Sequence, residues 1–280
     1  MNVTAIRAGV ARGGIELRQL YTNAPDLIGQ FLTPGISLAV LFLLRNRMYG
    51  ESGLSIAELA VPGLLGSIIA FNGLYAVLNV LVLDREDGTL LRAKAVPRGL
   101  TGYFTGRIVA GAGAVLAQVV IVLGVGMVII GGSSLTDASA IAIFVGVVAL
   151  GLLAVLPWGT ILGSLLDSRS SFLLTIPLMG LVAISGIFYP ITALPGWLQA
   201  VGQVFPMYWL GLGMRSALLP ADAVAVELEQ SWRHLETVAV LGIWTVAGLL
   251  IAPIVLRRMA ALESGSAMAA RRDKAMQRAF

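Results

Sequence analysis

The sequence predicts an all-α integral membrane protein. It has six transmembrane helices, N and C termini in the cytoplasm, an N-terminal amphipathic interfacial helix, and short re-entrant or interfacial outer helices between the fifth and sixth spans. Three observations carry this prediction. Apolar residues are 58% of the chain and charged residues 12%, against roughly 45–50% and 25% in soluble domains. So few charges cannot cover a water-facing surface, and the chain needs a bilayer as solvent. Six charge-free apolar stretches approach the roughly 20 residues that cross a hydrocarbon core. Finally, Lys and Arg are unevenly shared between the segments joining those stretches. The same composition excludes a cytosolic enzyme, a secreted disulfide scaffold and a disordered regulator. With no cysteine in 280 residues, disulfides, Cys-ligated zinc and iron–sulfur clusters are excluded too. A single histidine, His234, argues against His-based metal sites and Ser-His-Asp triads. It lies with Trp232, Arg233 and Glu236 in an outer segment and reads as a solvated loop residue. Arg outnumbers Lys seventeen to two, which, with much Ala, Gly and Val, fits the codon bias of a GC-rich bacterial genome.

Residues 1–26 form the first element. Arg7, Arg12, Glu16 and Arg18 interrupt any long apolar core, so this is not a signal peptide. Ile6, Val10, Leu17 and Leu20 recur at near-helical spacing, which suits a helix lying on the inner leaflet. Pro25 and Asp26 break it. The six spans follow at residues 27–44, 59–83, 108–130, 140–166, 171–188 and 238–256. The fourth is long and contains Pro157, which predicts a kink or tilt. Placing the N-terminus inside puts fifteen cations in inner segments and four in outer ones, and this sets the orientation. It also accounts for the net charge of +4 without nucleic acid. Residues 257–280 form a charged, Ala-rich cytoplasmic tail, helical at first and then loose. The whole chain reads as one transmembrane domain, with no internal repeat.

The inner loop after the second span runs from Asp84 to Leu100. Gly88 and Thr89 can stop one helix and cap the next. Leu90, Leu91, Ala93 and Val96 give a short helix a partly apolar face, and Pro97 ends it. Such a helix suits a groove on a cytosolic partner; it equally suits a plain charged loop. After the fifth span, Phe188, Tyr189 and Pro190 lead to Pro195 and Trp197, and then to Phe205, Pro206, Tyr208 and Trp209. Prolines break helices and aromatic rings favour the interface. This segment reads as two short helices that re-enter the outer leaflet or lie on it.

These two segments carry a resemblance. Glu86-x-Gly88-Thr89-x-x-Arg92-x-x-x-x-Pro97 resembles the inner loop of type-2 ABC transporter permeases, and Pro62-Gly63 resembles the start of their second span. The run from Ser185 to Pro190, followed by Pro195, Pro206 and Arg215, resembles the family's motif after its fifth span. Within the family, the chain is most similar to bacterial drug-exporter permeases of the daunorubicin-resistance type. The resemblance implies an exporter half, with two membrane subunits and two cytosolic ATPases per transporter. The second permease would be an identical chain or a related paralogue. It also implies that Glu86, Gly88, Thr89, Arg92 and Pro97 form the ATPase-coupling loop, and that Phe188, Pro190, Pro195, Trp197, Pro206 and Arg215 form the outer re-entrant segment. ATP and Mg would bind the partner, with no cofactor in this chain. No Gly-x-x-x-x-Gly-Lys-Ser/Thr motif occurs here, so the energy must come from another polypeptide.

Asn72, Tyr75 and Asn79 fall at i, i+3 and i+7, on one face of the second span. Gln118 is a similar polar residue in the third. Polar groups at membrane depth usually face protein or a cavity. These four therefore either line a substrate path or make interhelical hydrogen bonds worth about 0.6 kcal/mol each. The absence of ionisable groups within the six spans disfavours a proton- or sodium-driven transporter. An integral-membrane enzyme is a further alternative. Asp87-Gly88 with Arg92 resembles the start of the CDP-alcohol phosphotransferase motif, but the next aspartate is Asp137, on the other side. Among exporters, a lipid or lipid-linked polysaccharide is the alternative cargo to a drug. Gly159 and Gly163 form a Gly-x-x-x-Gly that permits close helix packing.

Overall fold

The structure, a computed structural model, describes residues 3–48, 55–130, 135 and 137–262. Helices carry the fold, and no strand forms among the described residues. α1 (Val3–Leu20) ends where Tyr21–Asn23 turn the chain, and α2 (Ala24–Leu44) starts with Pro25 in its first turn. That position tolerates proline, because its missing N–H would have no partner there. α3 (Ile56–Glu86) opens on a reciprocal capping pair. Ser55 Oγ accepts the Glu58 N–H at 3.1 Å, and Glu58 Oε2 accepts the Ser55 N–H at 2.5 Å. One π turn, Ile68–Asn72, interrupts α3 midway. Gly88, at φ 79° in the left-handed region, ends α3 and starts α4 (Thr89–Ala95). Extended Val96 before Pro97 stops α4. α5 (Gly99–Ile130) and α6 (Ala138–Leu165) follow, the latter capped by Asp137 accepting the Ala140 N–H at 2.7 Å.

After α6 come α7 (Ser168–Leu173), α8 (Thr175–Ile184), α9 (Gly196–Val204), α10 (Pro206–Leu218) and α11 (His234–Leu262). Five helices, α2, α3, α5, α6 and α11, are long and apolar enough to cross a membrane. The fifth expected span, 171–188, differs. It breaks at Leu174 and its helix ends at Ile184, because the αR turn at Ser185 and the positive φ of Gly186 divert the chain. One other expectation is corrected. The third span begins at Gly99 rather than residue 108, so Arg107 lies inside a helix. Pro157 lies inside α6, as the sequence places it. The start of the tail continues α11 to Leu262, and residues 263–280 lie outside the described residues.

Leu, Ile and Val side chains stand exposed along α2, α5, α8 and α11, as a lipid-facing surface requires. Helix association in lipid gains nothing from hydrophobicity and depends on close packing and polar bonds. The seams show it. A Cβ on Gly163 would lie 2.9 Å from the Leu78 carbonyl oxygen, and one on Gly159 would strike the Leu74 carbonyl. The Gly-x-x-x-Gly pair therefore sets the α3–α6 approach. α1 packs on α5 in the same way, with Gly13 against Gly106 at 2.7 Å and Gly9 against Gly102. Val10, expected on the apolar face of α1, is exposed. At the centre, α10 is enclosed by α3, α6 and α11, with Tyr208, Leu210, Leu212 and Met214 fully buried.

Candidate functional site

A cavity of about 430 Å³ opens between α1, α2, α3 and α5. The π turn of α3 ends on Asn72, at the cavity wall. Asn72, Tyr75, Asn79 and Gln118 all line this cavity, and they do different things there. Asn72 Nδ2 donates to Gln118 Oε1 at 2.5 Å, and Gln118 Nε2 donates to the Gln30 carbonyl at 3.0 Å. Gln30 Nε2 donates to the Ala114 carbonyl at 3.2 Å. This chain of carboxamides ties α2, α3 and α5 together. Asn79 is exposed at the cavity and its side chain makes no hydrogen bond among the described residues. Tyr75 shares a hydrogen bond of 3.2 Å with Thr175 of α8. Asn72 and Gln118 are thus bonded between helices, while the Asn79 side chain faces the cavity. A second cavity, of about 550 Å³, lies between α2, α3 and α8. Phe188 lines it, and Thr33, Pro34, Asn72 and Tyr75 are common to both.

The end of the first cavity nearest Arg107 is closed by an ion network that the sequence reading missed. Asp84 Oδ2 accepts from Tyr103 Oη and from Arg107 Nη2, each at 2.5 Å. Arg107 Nη1 reaches Glu16 Oε2 at 2.8 Å, and Arg12 Nε reaches Glu16 Oε1 at 2.8 Å. The Arg107 and Arg12 guanidiniums also stand 5.3 and 5.4 Å from the Tyr103 ring centre. Two cations meet two carboxylates, so the group is internally balanced. It joins α1, α3 and α5. The available signal was the i, i+4 pairing of Tyr103 and Arg107, which an assignment of both to a loop conceals.

Directly below Asp84 lies the inner loop. Leu90 of α4 is buried against Leu81, Tyr103, Leu256 and Met259, so α4 is fixed to α3, α5 and α11. The reverse side, with Arg92, Lys94 and Pro97, is exposed, as are Glu86 and Asp87. Arg92 Nη2 donates to Thr89 Oγ1 at 2.9 Å. Asp87 Oδ1 accepts the Thr89 N–H at 2.8 Å. Partial burial works against ionisation of Asp87, but the bonds from Thr89 and the Arg92 charge outweigh it and hold the carboxyl below its ordinary value. Arg85 donates to the Leu166 carbonyl at 2.7 Å and to Gly163 at 3.2 Å, satisfying the carbonyl end of α6.

At the opposite end of the bundle from this loop, Arg215 of α10 is buried. Its Nε donates to Glu227 Oε1 at 2.6 Å, and its Nη1 donates to the carbonyls of Gly186 and Ile187 at 3.0 and 3.2 Å. It staples the turn after α8 to the outer loop. A Cβ on Gly63 would lie 2.7 Å from the Ile187 oxygen, so the two motif segments touch. Pro190 lies extended in the turn between α8 and α9. Pro195 precedes α9, whose Trp197 is 69% exposed, and Pro206 starts the buried α10. One helix of the outer pair therefore lies along the surface, and the other enters the bundle. The Trp209 indole donates to the Gln203 carbonyl at 2.7 Å under the Arg233 guanidinium. His234 is exposed at the start of α11.

Comparison with protein families matches residues 19–257 to the model described as ABC-2 family transporter protein. No curated protein matches the chain.

Proposed function

The chain belongs to the ABC-2 family of transporter proteins, is thus a multi-pass membrane subunit of an ABC transporter, and from that premise we propose that it is the permease of an ATP-driven exporter of hydrophobic or amphiphilic compounds, drug efflux foremost, powered by a separate cytosolic ATPase. The observation that carries the reading is the stacking of a polar-lined cavity, a balanced ion network and an exposed loop helix along α3. The network leaves no unpaired charge at the cavity floor, which supports an energy source outside this chain.

In the proposed complex two permeases, identical or paralogous, pair with two ATPases that bind ATP and Mg. Six crossings leave both termini in the cytoplasm, with α7, α8 and the following turn completing the fifth. ATP closes the ATPases together. Their motion enters at Glu86, Gly88, Thr89, Arg92 and Pro97. Because Leu90 is wedged between α3, α5 and α11, α4 cannot move without them. Asp84 and Arg107 carry the shift to α1 and the cavity floor. Cargo held by Asn79 and Tyr75 leaves outward past Pro190 and Trp209, and hydrolysis resets the site.

Purification of the chain from its native membranes in mild detergent tests this. A stoichiometric partner bearing a phosphate-loop motif, with ATP hydrolysis, is expected by mass spectrometry. A chain that purifies alone in several detergents with ATP present overturns the reading. The cavity assignment is tested residue by residue. Asn79→Ala should shift the export spectrum across a drug panel and leave the melting temperature unchanged. Asn72→Ala should destabilise by about 0.6–1.7 kcal/mol through its lost interhelical bond. An unchanged spectrum in Asn79→Ala with normal expression removes Asn79 from the path.

A further inference from the structure

We propose that the groove between α1, α5 and α11 binds one anionic phospholipid of the inner leaflet, its phosphate between Arg98 and Arg257 and its acyl chains along the groove. The site lies apart from the cavity described above. It rests on the proposed cytoplasmic placement of the α5 start and α11 end, and not on any cargo.

The groove measures about 1020 Å³. Its wall is apolar, with Ile6 of α1, Phe104 and Ile108 of α5, and Leu249, Leu250 and Pro253 of α11. Arg98 and Arg257 stand at one end, both exposed, and no acidic side chain lines the groove. Among the described residues neither guanidinium has a hydrogen-bond or carboxylate partner. This contrasts with Arg12, Arg107, Arg215 and Arg233, all of which are paired. Arg98 is also held at φ 58°, a left-handed conformation that side-chain-bearing residues seldom adopt. Depth agrees with charge. From Arg98 to Ile108 a helix rises about 15 Å, half of a hydrocarbon core about 30 Å thick. That length can take the acyl chain of one leaflet, with the two arginines placed to meet its headgroup. A basic pocket between spans on the cytoplasmic side is the arrangement that captures anionic headgroups.

Native mass spectrometry of the purified full-length chain tests this, with dioleoylphosphatidylglycerol and dioleoylphosphatidylcholine as the added lipids. At roughly fivefold per arginine near a headgroup, the wild type should hold one phosphatidylglycerol about 25-fold more tightly than phosphatidylcholine. Arg98→Gln combined with Arg257→Gln should bring the two lipids close to parity. Arg18→Gln, on an exposed part of α1 outside the groove, should leave the preference intact. Leu250→Trp should weaken both lipids alike by filling the wall. A wild type that does not discriminate, or a double variant that keeps its preference, overturns the proposal. So does an equal loss in Arg18→Gln, which would mean diffuse surface charge and no site. None of these readouts needs the ATPase or transport, so the lipid site and the export reading fail separately.

Discussion

Arg215→Met is expected to destabilise the protein by about 3–5 kcal/mol, the range seen when one partner of a buried pair is removed. Against total stabilities of about 5–15 kcal/mol for folded domains, that is a third or more of the whole at the middle of the range. The Arg215 and Glu227 side chains are 5% and 1% exposed. Removing the guanidinium leaves a carboxylate with no solvent and takes the donor from the Gly186 and Ile187 carbonyls together. Arg215→Lys should recover only part of the loss, because one ammonium cannot serve a carboxylate and two carbonyls in the guanidinium's forked geometry. Arg215→Met with Glu227→Leu should recover most of the pair's share, since an apolar replacement of both partners is often neutral. Melting of the detergent-purified variants, followed by size-exclusion fluorescence, measures all three. A single variant as stable as wild type would mean that the staple does not hold the outer segment.

The second large effect is on coupling. Gly88→Pro should abolish transport while the protein still inserts. Gly88 sits at φ 79°, and proline is fixed near −65°, so the turn that aims α4 cannot form. Leu90 then leaves its pocket among Leu81, Tyr103, Leu256 and Met259, and the ATPase contact no longer moves α3. Gly88→Ala keeps a route to the same turn at a left-handed strain of about 1–2 kcal/mol, and should retain part of the activity. Glu86→Ala should also uncouple, with the helices intact. ATP hydrolysis and cargo uptake in inside-out vesicles separate these outcomes. Wild-type uptake by Gly88→Pro removes the loop from the coupling path.

Legibility followed the physics of each element. The long spans could be read because a bilayer demands unbroken apolar runs, and α2, α3, α5, α6 and α11 answer that demand directly. The turn at Gly88 and the starts of α2, α9 and α10 could be read because Gly and Pro act through their own backbone. The fifth segment could not, since its break at Leu174 has no local marker and its end depends on Arg215, thirty residues on, gripping the Gly186 carbonyl. The ends of spans were hidden for another reason. Asp84 and Arg107 look like loop residues one at a time, and only their mutual neutralisation allows both inside helices. The polar face of α3 was visible as a period. Which of its members has a partner depends on Gln118 and Thr175 across space, and periodicity carries no information about that.

The π turn gives α3 two arms of unequal duty. The outer arm, Ile56–Ser67, is locked by Gly63 and Gly66 against the outer turn and α10. The inner arm, Gly73–Glu86, is about 21 Å long at 1.5 Å per residue. With the turn as fulcrum, a pivot of about 5° sweeps its far end by roughly 2 Å on that length. That stroke is comparable to the difference between a made and a broken hydrogen bond, and it pivots beside Asn72. In the proposed mechanism a modest push at Gly88 would be felt at the joint beside Asn72 where carboxamides hold α2, α3 and α5 together.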